Sequence, residues 1–273
     1  MESLSARVLS GALGLVGLFV VLWAGLPLVV PGLVFVLWLG TAELNAMLRR
    51  REVTLNLGLL RWGGVLMLVA SMPQLHALYP QIPWREVALG LVLFSAFSYE
   101  LVQGGNIHRF AFSVMAFLYL PWTLGYFLLL RYAPDGNLGL WTLTLPLVAT
   151  FATDIGAYFI GRAFGRHKLA PTISPNKTIE GSVGGVLASI GALLGYTSLV
   201  KGVFPFGWVE LLLVSLLLSL AAQLGDLTES MLKRYCGVKD SGEFLPGHGG
   251  LLDRMDSLLF SVPLTYYLWV IFA

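Results

Sequence analysis

Between residues 230 and 256 the chain gathers Lys233, Arg234, Lys239, Asp240, Glu243, His248, Asp253, Arg254 and Asp256. Asp226 and Glu229 stand just upstream, inside an apolar run. Charged residues make up only 12% of the whole sequence, so this density marks a site for chemistry. Carboxylates held together are costly unless a cation neutralises them. Magnesium prefers oxygen ligands and often shares them with substrate phosphates. Basic side chains beside such a cluster suit a phosphate-bearing substrate.

Spacing sharpens this reading. Asp226, Glu229 and Lys233 fall at i, i+3 and i+7 and share one face of a predicted helix. A carboxylate within a membrane span is a functional candidate by default. A Glu229–Lys233 structural ion pair is the plainer alternative. Asp253 and Asp256 are three apart at the predicted start of the last span, where a helix dipole favours acidic residues in any case. Yet Gly247, Gly249 and Gly250 precede them, and glycines let backbone amides approach a ligand closely. A helix start after such a turn is a good phosphate site. Two carboxylates there would repel an anion unless a divalent cation bridged them. That conflict favours metal over capping. His248 is a turn residue, a general base or a ligand; we favour a phosphate or substrate contact.

A second constellation lies upstream. Asp154 sits about three turns before the end of a predicted span, in Thr-Asp-Ile-Gly-Ala-Tyr-Phe-Ile-Gly-Arg. Gly156 and Gly161 on the same span can let another helix approach closely. The following polar segment ends in Ile-Ser-Pro-Asn-Lys-Thr-Ile-Glu-Gly, where Ser174, Asn176, Lys177 and Thr178 offer donors and Glu180 follows. Ser174 or Thr178 can equally cap the next helix. Lys177 can equally be a topology signal. The density of donors favours nucleotide binding. Neither a Walker A loop nor a Rossmann fingerprint is present. Elsewhere Glu43, Glu100, His76 and His108 lie near span ends and read as satisfied surface groups. Arg49-Arg50-Arg51 reads as a topology signal or an anionic-lipid contact.

These residues need a scaffold, and composition names it. Of 273 residues 57% are hydrophobic, and mean hydropathy is +0.79. We predict an all-α polytopic transmembrane protein. Runs long enough to span a bilayer cover 8–24, 26–48, 59–79, 87–102, 110–132, 138–163, 179–200, 208–233 and 251–272, about nine in all. The first reads as a retained span rather than a leader. Residues 1–103 form N-terminal transmembrane helices, and 104–273 form a catalytic transmembrane region with polar loops 164–178 and 235–250. Alternating the loops places 14 of the 17 Lys and Arg residues on one side and Arg85, Arg131 and Lys201 on the other. Positive charge favours the cytoplasm, so the N-terminus and both polar loops are expected there. A net charge of +2 gives no reason to expect a nucleic-acid partner. The single cysteine, Cys236, excludes an intramolecular disulfide framework.

Ser230, Lys233-Arg234, Lys239-Asp240, His248-Gly249-Gly250, Asp253-Arg254 and Asp256 together resemble the signature of the phosphatidate cytidylyltransferase (CDP-diacylglycerol synthase) family, with no departure over 230–256. The Asp154 and Ser174–Thr178 segments look like the same family's. The resemblance implies transfer of CMP from CTP to phosphatidic acid, giving CDP-diacylglycerol and pyrophosphate in phospholipid biosynthesis. It implies Mg²⁺ at Asp226, Asp253 and Asp256, a second cation with potassium as the candidate, and a homodimer. An integral protein of the cell inner (plasma) membrane follows, with its active site facing the cytoplasm. On this view Asp226, Asp253, Asp256, Lys233, Arg254 and His248 serve catalysis. Ser174, Asn176, Lys177, Thr178, Asp154, Glu229, Arg234, Lys239 and Asp240 bind substrate. A CTP-using lipid-alcohol kinase and an ion transporter are the rival readings; clustering of charge at one membrane face argues against the transporter.

Overall fold

Helices form where the apolar runs lie, and their ends are set by capping and proline chemistry. In the computed structural model, which describes residues 24–132, 138–244 and 249–272, the helices are α1 (Leu26–Arg49), α2 (Leu57–Ala70), α3 (Pro73–Leu78), α4 (Trp84–Val102), α5 (Ile107–Tyr119), α6 (Pro121–Tyr132), α7 (Leu138–Phe164), α8 (Ile179–Leu199), α9 (Trp208–Cys236), α10 (Leu252–Met255) and α11 (Leu258–Phe272). Asn56 and Asn106 cap α2 and α5 through their side-chain oxygens, which accept from Leu59 N and Arg109 N. Gly25 precedes α1 at φ 75°, a conformation that suits glycine.

The expected span at 59–79 is two helices. Proline at position 73 lacks an amide hydrogen and pushes Met72 into an extended conformation (φ −74°, ψ 133°), so α2 stops and α3 starts anew. The expected run at 8–24 lies almost entirely outside the described residues. Among the described residues six helical stretches are long and apolar enough to cross a membrane: 26–49, 107–132, 138–164, 179–199, 208–236 and 252–272. Helix Leu57–Ala70 is apolar but shorter. The polar segment 164–178 also departs from a plain loop. It folds into an antiparallel hairpin of β1 (Lys168–Ala170) and β2 (Ser174–Thr178), with Lys168 opposite Thr178 and Ala170 opposite Ser174.

The chain divides into two compact units, 1–129 with 235–254, and 130–234 with 255–273. In the first, small residues let helices close on one another. A Cβ on Gly64 would lie 2.6 Å from Leu37 Cδ1, and one on Gly63 would lie 2.9 Å from Val92. Leu37, Leu44, Leu60, Met67 and Phe117 are buried there. In the second unit Leu145, Ala149, Leu193, Leu211, Val214, Leu218 and Leu268 form one core. The α7–α8 contact is built on glycine. A Cβ on Gly156 would collide with Ala188, and one on Gly185 would lie 2.9 Å from Thr153 O. The close approach expected of Gly156 is therefore present. Gly161 closes on Thr178 in the same way, at 3.1 Å from Oγ1. Hydroxyl bonds such as Thr153 Oγ1 to Ser219 Oγ, 2.9 Å, add polar links between the helices.

Candidate active site

Helix α9 enters the site as an apolar rod and leaves it as a polar one. Its last turns carry Asp226, Glu229, Ser230, Lys233 and Arg234. Lys233 Nζ donates to Glu229 Oε2 at 2.6 Å, and both side chains are buried. The plainer alternative, a Glu229–Lys233 ion pair, is therefore present, on the helix face that Asp226 shares. Ser230 Oγ donates to Asp226 Oδ1 at 3.3 Å. Arg234 Nε donates to Ile173 O at 3.1 Å, which ties the tip of the hairpin to the end of α9.

The hairpin delivers Lys177. Strand β2 ends at Thr178, whose Oγ1 accepts from Gly181 N at 3.1 Å and caps α8. The capping alternative is realised for Thr178, and its side chain is buried. One residue earlier Lys177 pairs with Asp226. Ser174 is half-buried and Asn176 exposed on the same strand. Glu180 folds back over the hairpin's start, accepting from Arg166 N at 3.0 Å and His167 Nδ1 at 2.5 Å.

Asp256 completes this group. A Cβ on Gly225 would collide with Asp256 O and lie 3.0 Å from Ser257 Cα, so glycine beside Asp226 lets the two chain segments touch. Asp154, Asp226 and Lys233 all act electrostatically on the Asp256 carboxylate. The second unit therefore brings together Asp154, Lys177, Asp226, Lys233 and Asp256. Three carboxylates and two ammonium groups meet there, and such groups can hold a divalent cation and polyphosphate together.

The loop residues of the first unit are organised separately. Asp253 Oδ2 accepts from Ser241 N, Ser241 Oγ and Gly250 N, each at 2.8 Å. The amides of Leu251 and Leu252 donate to Glu43 Oε1 and Oε2 at 2.8 and 2.9 Å. At this helix start the amides of Gly250, Leu251 and Leu252 are therefore taken up by the chain's own carboxylates, Gly247 lies outside the described residues, and α10 is only four residues long. Lys239, Asp240 and Arg254 are exposed. His248 lies outside the described residues. Among the described residues no three His, Cys, Asp or Glu side chains form a ready-made metal site.

Glu100, read as a surface group, is buried at 8% exposure against Arg109, and Glu43 is misplaced in the same way. It reads as a surface group near a span end, yet it is only 7% exposed and holds the loop. Its depth two turns before the triple arginine was the available signal.

Residues 5–272 match the model of the Cytidylyltransferase family. The phosphatidate cytidylyltransferase of Bacillus subtilis (strain 168) is 36% identical over 279 residues, covering 100% of each chain. That of Staphylococcus aureus (strain COL) is 37% identical over 82% of this chain and 86% of its own. That of Staphylococcus epidermidis (strain ATCC 12228 / FDA PCI 1200) is 38% identical over 85% and 88%. The match runs almost end to end, and so the chain belongs to the cytidylyltransferase family.

Proposed function

We propose that this chain is a phosphatidate cytidylyltransferase, transferring CMP from CTP to phosphatidic acid with release of pyrophosphate. The observation that carries the reading is the Lys177–Asp226 pair, which sets the hairpin's ammonium group against a carboxylate of α9 just upstream of the motif. The relatives are phosphatidate cytidylyltransferases by name, which supports this substrate class.

A phosphate oxygen of the lipid attacks the α-phosphorus of CTP, and the bond to the β-phosphate oxygen breaks. Catalysis is then alignment and charge neutralisation, with no covalent enzyme intermediate required. Lys177, Lys233, Arg234, Lys239 and Arg254 orient and neutralise phosphates. Lys177 exchanges Asp226 for phosphate oxygens as the nucleotide enters.

Asp226, Asp253 and Asp256 are the proposed holders of Mg²⁺. The donor chemistry fits, since these are oxygen ligands and the ion commonly uses one or two carboxylates plus substrate phosphates. Asp226 and Asp256 lie in the same cluster as Lys233, whereas Asp253 Oδ2 is already committed to its loop. When bound, the ion would withdraw charge from the α-phosphoryl group. A potassium ion at the lipid phosphate, a homodimer, and a cytoplasm-facing site in the cell membrane complete the proposal. The six long apolar helices support the bilayer setting.

The test is purified protein with radiolabelled CTP, phosphatidic acid and Mg²⁺, read by product chromatography. Labelled CDP-diacylglycerol is expected. Transfer of the γ-phosphate to a lipid alcohol would replace this reading with a kinase.

A further inference from the structure

The residues that face the substrates do not explain why α1 carries a buried glutamate. Glu43 is 7% exposed, on a helix whose Leu37, Leu44 and Leu48 are buried as well. A buried carboxylate is costly unless donors satisfy it. Its donors all come from one place. Leu251 N and Leu252 N each give a bond to a separate carboxylate oxygen, at 2.8 and 2.9 Å, and Ser241 Oγ lies 3.2 Å from Oε2.

The loop is shaped to receive this group. A Cβ on Gly242 would lie 2.7 Å from Glu43 Oε1, and one on Gly250 would lie 2.7 Å from Oε2. A larger residue at Gly242 would crowd the carboxylate directly, and one at Gly250 would meet Ser241 Oγ and Gly242 N as well. Ser241 also stands between two acids, since its hydroxyl lies 2.8 Å from Asp253 Oδ2 as well. The hydroxyl has one proton to donate, and the Ser241 amide holds Asp253 at 2.8 Å besides.

We propose that Glu43 is a positioning residue. Its carboxylate fixes the backbone at 251–252, and with Ser241 it fixes the Asp253 carboxylate at the start of the last span. Glu43 touches neither substrate nor reacting atoms. It acts by holding the loop whose residues do. The catalytic half of this inference rests on the function proposed above.

A carboxylate is required because both backbone donors need acceptors. Glutamine offers one oxygen and would set an NH₂ group against a buried N–H. The cost of losing a charged acceptor corresponds to a factor of about ten to a hundred.

The experiment uses the full chain in detergent and compares the parent with Glu43→Gln and Ser241→Ala. Hydrogen exchange at the amides of 250–252 should quicken at least about tenfold in Glu43→Gln, while helix Ile179–Leu199 keeps the parent's protection. CMP transfer should fall about tenfold or more in kcat, with KM for CTP within about twofold of the parent, because alignment rather than ground-state binding is lost. Ser241→Ala removes a smaller part of the same network. It should show the same pattern more weakly, and it carries the test if Glu43→Gln does not fold.

Parental exchange at 250–252 in the variants would overturn the tether. Faster exchange with parental kcat would overturn the positioning role. A parent that transfers no CMP at all would overturn the proposed function and the catalytic role with it, whereas the exchange result would still decide whether Glu43 holds the loop.

Discussion

Lys177, at the end of the hairpin, is ion-paired with Asp226 in the last turns of the longest helix. The two side chains remain 26% and 31% exposed. A pair so open to solvent adds about 1 kcal/mol at most to stability. In the proposed reaction its role is to keep an ammonium group and a carboxylate in one place where phosphates can displace them.

Replacing Lys177 by Ala should therefore separate folding from activity. The variant is expected to purify and melt within a few degrees of the parent. CMP transfer should fall on the order of a hundredfold or more, as when one preorganised donor to a developing charge is removed. Parental turnover in Lys177→Ala would remove the hairpin from the proposed site.

The three aspartates should differ in what they lose. Asp226→Asn and Asp256→Asn should melt near the parent and lose activity on the order of a thousandfold, and EDTA should abolish turnover. Asp253→Asn should lose activity and also melt lower, because its Oδ2 receives three loop hydrogen bonds. An Asp256→Asn enzyme keeping more than about a tenth of parental turnover, a barrier change of ~1.4 kcal/mol, would reduce Asp256 to a structural role.

Thr178 tests capping against substrate binding at one residue. Thr178→Ala should destabilise by about 0.5–2 kcal/mol, whereas Thr178→Ser keeps the oxygen that accepts from Gly181 N. Thermal melts of the two variants check this. A raised KM for CTP with an unchanged melting temperature in Thr178→Ala would return the hydroxyl to the substrate.

Two glycines of α8 give a matched test of helix packing. A Cβ at Gly185 meets the Thr153 carbonyl at 2.9 Å, but one at Gly191 meets nothing within 4 Å. Gly185→Ala should melt lower than the parent. Gly191→Ala should be neutral or gain up to about 1 kcal/mol from helix propensity alone. Equal melting temperatures for the two would refute close packing at α7–α8.

Orientation in the membrane needs a better reporter than the native cysteine. Cys236 is 4% exposed, so its failure to react would say nothing about its side. Lys239 and Lys201 are both exposed. In a Cys236→Ala background, an impermeant thiol reagent on intact cells should label Lys201→Cys and spare Lys239→Cys. The reverse pattern would invert the proposed topology.

The sequence by itself determined the helical scaffold and the residues of the motif. Apolar runs specify helices because a backbone in lipid must satisfy its own hydrogen bonds, and this is a local property. The runs at 26–48, 138–163, 179–200 and 208–233 accordingly lie within a few residues of observed helices. The face shared by Asp226, Glu229 and Lys233 was equally local, since helical spacing alone aligns it. Proline at position 73 was also a local signal, and it divides the run that composition joined. Other choices were made only by the tertiary structure. Thr178 and Lys177 are adjacent donors of similar promise, yet one caps a helix and the other reaches Asp226. Spacing places Glu43 and Glu100 alike near span ends and names a partner for neither. Glu100 binds Arg109 nine residues away, whereas Glu43 meets the amides of Leu251 and Leu252. Hydrogen bonds of that range exist only once the helices have packed, because it is packing that buries the carboxylate and presents the donors that must satisfy it.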